Sequence, residues 1–206
     1  PDPLQMPIAR AVAASSCFPP VFGPLRLSWP GARFAHGRYR GDDREALLQR
    51  IDLSDGGVYD NLGTEPVLKH ADVVLISDAG APFPFRAGGH ALRRLLRYTS
   101  VIGNQAVALR RRLFTEMCAS GRIAGAQWRL SQVHDAGAFG YSDRFVEQVM
   151  ARVRTDMDRF TRAECEVLVN HGYASCEAAL VHRPELLPRT PTVPQLPYPD
   201  WTTEDR

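Results

Sequence analysis

The chain predicts an α/β domain, and three stretches of it carry that expectation. Val73-Val74-Leu75-Ile76 is a continuous apolar run of strand length, the pattern of a central strand covered on both faces. Residues 90–119 bring apolar side chains back at helical spacing along one face, which predicts a long amphipathic helix. Earlier, the apolar run Ile51-Asp52-Leu53 passes directly into Ser54-Asp55-Gly56-Gly57, so an acid stands on a glycine turn behind a strand-like segment. With 206 residues and 44% apolar content, the chain fits one domain or most of one and can bury a core.

Taken in order, residues 8–16 hold alanines and valines without a breaker and predict a short buried helix, stopped at Phe18-Pro19-Pro20. Residues 25–29 read as a short strand. Residues 31–44, rich in Gly, Arg and Asp, read as an exposed excursion and a candidate lid or variable loop. Gly56 and Gly57 permit positive φ and leave room for close approach, so Asp55 is aimed by a tight turn. Thr64-Glu65-Pro66 marks a helix start, with threonine as cap and proline in the first turn.

The strand at 73–76 leads through a glycine- and proline-containing loop, 80–89, to the long helix. Its predicted apolar face is Leu92, Leu95, Leu96, Ile102, Ala106, Leu109, Leu113 and Met117. Arg93, Arg94, Arg97, Arg110, Arg111 and Arg112 fall mainly off that face, which places them in solvent or, on a sharper reading, against anionic lipid headgroups. Residues 127–133 alternate around Trp128 and Leu130 as an edge strand. Thr161-Arg162-Ala163-Glu164 is a capping box, and the helix it opens is expected to close at His171-Gly172. Six prolines between 184 and 199 predict an extended or disordered tail.

Composition excludes several functions. A net charge of +2, from 25 basic and 23 acidic residues, gives no reason to expect nucleic acid as a partner. No apolar stretch approaches the ~18 residues of a membrane-spanning helix. The four cysteines, Cys17, Cys118, Cys165 and Cys176, form no Cys-x-x-Cys pair and read as reduced, mostly buried thiols. Cys17 is the weaker alternative of a nucleophile, since no histidine lies near it in sequence. The six histidines do not cluster, and no acidic loop of calcium-binding type occurs, so no metal and no cofactor is expected. Asp60 is read as a turn residue, and Asp78 either as a ligand-side acid beyond a strand or as a cap for the following loop.

The small-residue helix with its double proline, the Ser54 to Gly63 stretch, the segment Ala71-Asp72-Val73-Val74-Leu75-Ile76-Ser77-Asp78-Ala79-Gly80, and Arg154 to Phe160 running into His171-Gly172-Tyr173 occur in this order. Together they resemble the patatin-like phospholipase family of lipid acyl hydrolases, over residues 1–181. The resemblance implies a three-layer α/β domain, of which residues 1–183 would be the later portion, with 184–206 as the proline-rich tail. It further implies carboxylic ester hydrolysis of a phospholipid or acylglycerol by a serine–aspartate dyad. Asp55 would be the base and Gly56 and Gly57 its turn.

No serine of this chain stands in a Gly-x-Ser-x-Gly elbow. The nucleophile and the oxyanion loop are therefore expected in an N-terminal half of the same domain, without which the chain is expected to be inactive. Phe18, Val21 and Phe22 are candidates for an acyl-chain channel or for plain core packing. The expected partners are a lipid substrate and the surface of a membrane, at a cytoplasmic or membrane-peripheral address. A catalytically inactive remnant that binds lipid or a partner is the alternative, and a different α/β hydrolase with a catalytic histidine is the third reading.

Overall fold

The computed structural model describes residues 6–19, 22–33, 37–80, 90–133, 139–154, 158–186 and 193–202. Among them the chain is a mixed α/β protein with seven α-helices and two small sheets. It divides into two compact units, one of residues 1–63 with 100–107, the other of residues 64–99 with 108–206.

The first unit opens with α1, Ile8–Ser15. The expected helix is present, but only Ala14 of it is buried, and Ile8 is 82% exposed. Its alanines favour helix by propensity, without requiring an apolar neighbour. Strand β1, Leu25–Leu27, pairs antiparallel with β2, Ile51–Leu53, and sets Arg26 directly opposite Asp52. Between them α2, Gly41–Gln49, takes up the end of the expected excursion. Leu27 and Leu48 form the buried apolar centre, and the Trp29 N–H donates to the Leu48 carbonyl at 2.6 Å. The short α3, Gly57–Asp60, follows β2, and Gly63 ends it at a φ of 61°.

The second unit begins with α4, Thr64–His70, and β3, Val73–Asp78. Helix α5, Ala91–Ala119, of which residues 100–107 are counted with the first unit, then returns the chain so that β4, Ala124–Arg129, lies parallel to β3. Parallel neighbours need such a crossover, which makes β3–α5–β4 a βαβ unit. The edge strand expected at 127–133 is thus shifted toward the N-terminus. Gly125 lets the unit close: a Cβ there would meet the Phe114 ring at 2.8 Å, as well as the Val74 carbonyl.

Two expectations of burial fail here. Strand β3 alternates, with Val74, Ile76 and Asp78 buried and Val73, Leu75 and Ser77 exposed, so it is covered on one face and not on two. On α5 the buried apolar side chains are Phe114 and Met117, while Leu95, Ile102, Leu109 and Leu113 are exposed. The sheet has two strands among the described residues and covers only a short length of so long a helix. Arg110 and Arg111 are half-buried rather than free in solvent, paired with Glu65 and Asp78.

Helix α6, Asp143–Gln148, is capped by Ser142, whose hydroxyl accepts from the Phe145 N–H at 3.2 Å, and a 3-10 turn, Met150–Arg152, follows it. Helix α7, Arg162–Val181, carries the expected capping box: the Thr161 N–H donates to Glu164 at 2.7 Å and the Glu164 N–H to the Thr161 hydroxyl at 3.3 Å. It does not close at His171-Gly172 but runs through both residues to Val181. Leu180 packs on Ala126 of β4 together with Leu186, and a second cluster gathers Tyr141, Val146 and Met150 against Val167 and Leu168.

Part of the proline-rich tail is fastened rather than loose. The Asn170 side chain, fully buried, donates to the Tyr198 carbonyl at 2.8 Å and accepts from its N–H at 2.9 Å. The Trp201 indole N–H donates to Glu166 at 2.7 Å, and Tyr141 donates to the Trp201 carbonyl at 2.8 Å. Paired backbone groups replace water here, which is why an otherwise irregular segment holds its place. The cysteines are free; Cys165 is exposed and the others half-buried, so the thiols are less enclosed than expected.

Candidate active site

Asp55 sits where β2 gives way to α3, and its turn is held from two sides. The Cys17 carbonyl, just past α1, accepts both the Asp55 N–H at 3.1 Å and the Ser54 hydroxyl at 3.0 Å. On the other side Asp55 Oδ1 accepts the Gly57 N–H at 2.7 Å, closing an Asx turn, and the Asp55 carbonyl accepts the Val58 N–H at 3.2 Å.

The two glycines differ in what they do. A Cβ on Gly57 would meet Asn61 Oδ1 at 2.6 Å and Asp55 Oδ1 at 3.0 Å, whereas a Cβ on Gly56 would meet nothing within 4 Å. Gly56 has a φ of −62°, ordinary helical backbone, so the expected positive φ does not occur there. Glycine at 57 serves close approach to the carboxylate; glycine at 56 is not required by the fold.

The carboxylate is half-buried, and its second oxygen has no partner among the described residues. The nearby arginines are engaged elsewhere: Arg26 and Arg50 each hold Asp52 at 3.0 Å, and the Arg26 hydrogen bond foremost draws the Asp52 carboxyl below its ordinary value. Asp55 is therefore a positioned acid with no competing ion pair among the described residues. One oxygen is fixed by a backbone N–H and the other is able to accept a proton.

The other sequence candidates lie as follows. Phe18 is 55% and Phe22 48% exposed, and Val21 lies outside the described residues. Cys17 donates its thiol to the Ala13 carbonyl at 3.1 Å, a local helix-end bond. Asp60 accepts the Leu62 N–H at 3.2 Å, as a turn residue does. Asp78 caps its loop by accepting the Gly80 N–H at 2.8 Å, and its other oxygen pairs with Arg111. His36 and His134 lie outside the described residues, as does most of the 80–89 loop.

Sequence reasoning missed the surroundings of His171. This imidazole is buried, its Nε2 lies 2.7 Å from the Leu130 carbonyl, and burial holds it below the ordinary histidine value of 6.5. Together with Ser175, one helical turn on, it lines a cavity beyond the ends of β3 and β4. The i, i+4 spacing of these two on α7 was the signal available for it. Among the described residues no group of three His, Cys, Asp or Glu side chains could hold a metal ion, and no helix is long and apolar enough to cross a membrane. Comparison with protein-family models, with curated proteins and with solved structures found no match.

Proposed function

We propose that the intact protein is a lipid acyl hydrolase of patatin-like, three-layer α/β architecture, in which Asp55 is the base of a serine–aspartate dyad. The observation that carries this reading is the Asp55 carboxylate, fixed through Oδ1 by the Gly57 N–H at 2.7 Å. The bare apolar face of β3, Val73 and Leu75, also supports a further layer over the sheet. The serine comes from an elbow that this chain does not contain.

In the reaction the serine Oγ attacks the ester carbonyl while its proton passes to Asp55. The tetrahedral intermediate collapses, and the leaving alkoxide takes the proton back. Water then hydrolyses the acyl-enzyme with Asp55 again as base. No cofactor or metal takes part. The substrate class is a phospholipid or acylglycerol, reached at a membrane surface from a cytoplasmic or peripheral position.

The test is turnover of phosphatidylcholine and of a short-chain nitrophenyl ester by the intact protein and by Asp55→Asn. Substitution removes the proton acceptor without changing shape, and a fall of about 10²- to 10⁴-fold is expected. Unchanged turnover overturns the assignment. Vesicle binding with no hydrolysis by either form favours the inactive, lipid-binding remnant.

A further inference from the structure

Strands β3 and β4 run parallel and end side by side, Asp78 opposite Arg129. In open α/β sheets the carboxyl ends of the strands are where ligands are received. A cavity of about 430 Å³ opens there, against the 3-10 turn and α7, within the range of small-molecule sites. Its wall is largely apolar, built by Trp128, Leu130, Val153, Phe160 and Leu168.

Two features of α7 face this space. Ser175 is 1% exposed, and its buried hydroxyl has no hydrogen-bond partner among the described residues. Buried hydroxyls are ordinarily satisfied, so this one calls for an oxygen or nitrogen supplied from the cavity. Gly172 stands in the middle of the helix, where alanine would be the better helix former, and a Cβ there would meet nothing within 4 Å. The glycine keeps space open that a side chain would fill.

The charges of the lining point to the kind of ligand. Asp78 is paired with Arg111, and Arg154 with Asp158 at 3.0 Å and with Glu164. His171 is engaged with the Leu130 carbonyl. Arg129 shares its register, and hence its sheet face, with Asp78, whose carboxylate meets Arg111 of α5; Trp128 stands on the opposite face, the side on which Ala126 meets α7. Arg129 is exposed and stands on the other face of the sheet from Trp128, and the remaining charges are already compensated, so an apolar body with one hydrogen-bonding oxygen would meet the wall and the Ser175 hydroxyl together.

We propose that this cavity binds an uncharged, medium-chain apolar molecule bearing a single oxygen, such as an aliphatic alcohol or ketone, which the Ser175 hydroxyl recognises. The site is independent of ester hydrolysis.

The experiment is titration of the ¹⁵N-labelled chain with 1-octanol, 2-octanone, octanoate and octylammonium. Saturable one-to-one shifts at Trp128, Leu130 and Ser175 are expected for octanol and octanone, with octanoate and octylammonium at least tenfold weaker. Ser175→Ala is expected to weaken octanol at least fivefold. Gly172→Leu is expected to abolish its binding while thermal unfolding shows the fold intact, and Gly172→Ala guards against failure of the larger substitution. Shifts that never saturate, equal binding by Ser175→Ala and Gly172→Leu, or octanoate binding as tightly as octanol would each overturn the proposal.

Discussion

A single methyl group separates the two glycines behind Asp55. Alanine at 57 would press a Cβ within 2.6 Å of Asn61 and 3.0 Å of the carboxylate, while at 56 it would stand in open space at ordinary helical φ. Gly57→Ala is expected to lower stability by about 1–3 kcal/mol, the usual cost of overpacking, and to displace the carboxylate. Gly56→Ala is expected to be neutral or mildly stabilising. Denaturant unfolding of the two variants checks this, and equal midpoints would contradict it. At this scale the sequence was informative about the turn that holds Asp55 and less so about why its neighbours are glycine. The pattern Asp-Gly-Gly marks a turn, but backbone angles and the position of Asn61 arise only when the chain is folded.

Among the elements, α7 shows what a local signal can and cannot say. Its start was legible because a capping box is a chemistry of four consecutive residues, and Thr161 with Glu164 forms it. Its end was not, because a glycine that ends an exposed helix is tolerated inside one that packs on β4 and beside a cavity. Thr161→Ala removes the hydroxyl that caps the Glu164 N–H and is expected to cost about 1 kcal/mol, read as a lowered denaturation midpoint. The strand at 73–78 was likewise found from its apolar run, yet the number of its covered faces depends on what packs there. Periodicity located α5 as well, but not its buried stretch. Phe114 is buried where Gly125 of β4 lies against its ring, a partnership between separate elements that is invisible to a helical repeat.

For the molecule as a whole, the α/β class was legible from the apolar run and the long helix, while the division into two units and the fastening of the tail by Asn170 were not. Neither leaves a periodic trace in the sequence, since both depend on contacts between distant segments. Stability as a function of pH is a property at this scale. Burial foremost lowers the His171 value below 6.5, so the unfolded chain takes up the proton more readily than the folded one. The contribution is complete above pH 6.5 and is lost as pH falls through the folded value. Glu164, drawn down to about 2 chiefly by Arg154, adds a second and salt-sensitive loss as pH falls below 4.5. The unfolding midpoint is therefore expected to drop between pH 7 and pH 5, and His171→Gln is expected to flatten that part of the curve; a wild-type midpoint constant over this range would contradict it. The half-covered strand β3 carries a different consequence, for handling rather than folding. Among the described residues it is paired along one edge only, with Val73 50% and Leu75 42% exposed. A row of unpaired amides beside apolar side chains is a template for the same strand of another molecule. With a net charge of only +2 to keep copies apart, concentrated solutions of this chain would lose material by strand-to-strand association, starting from natively folded molecules.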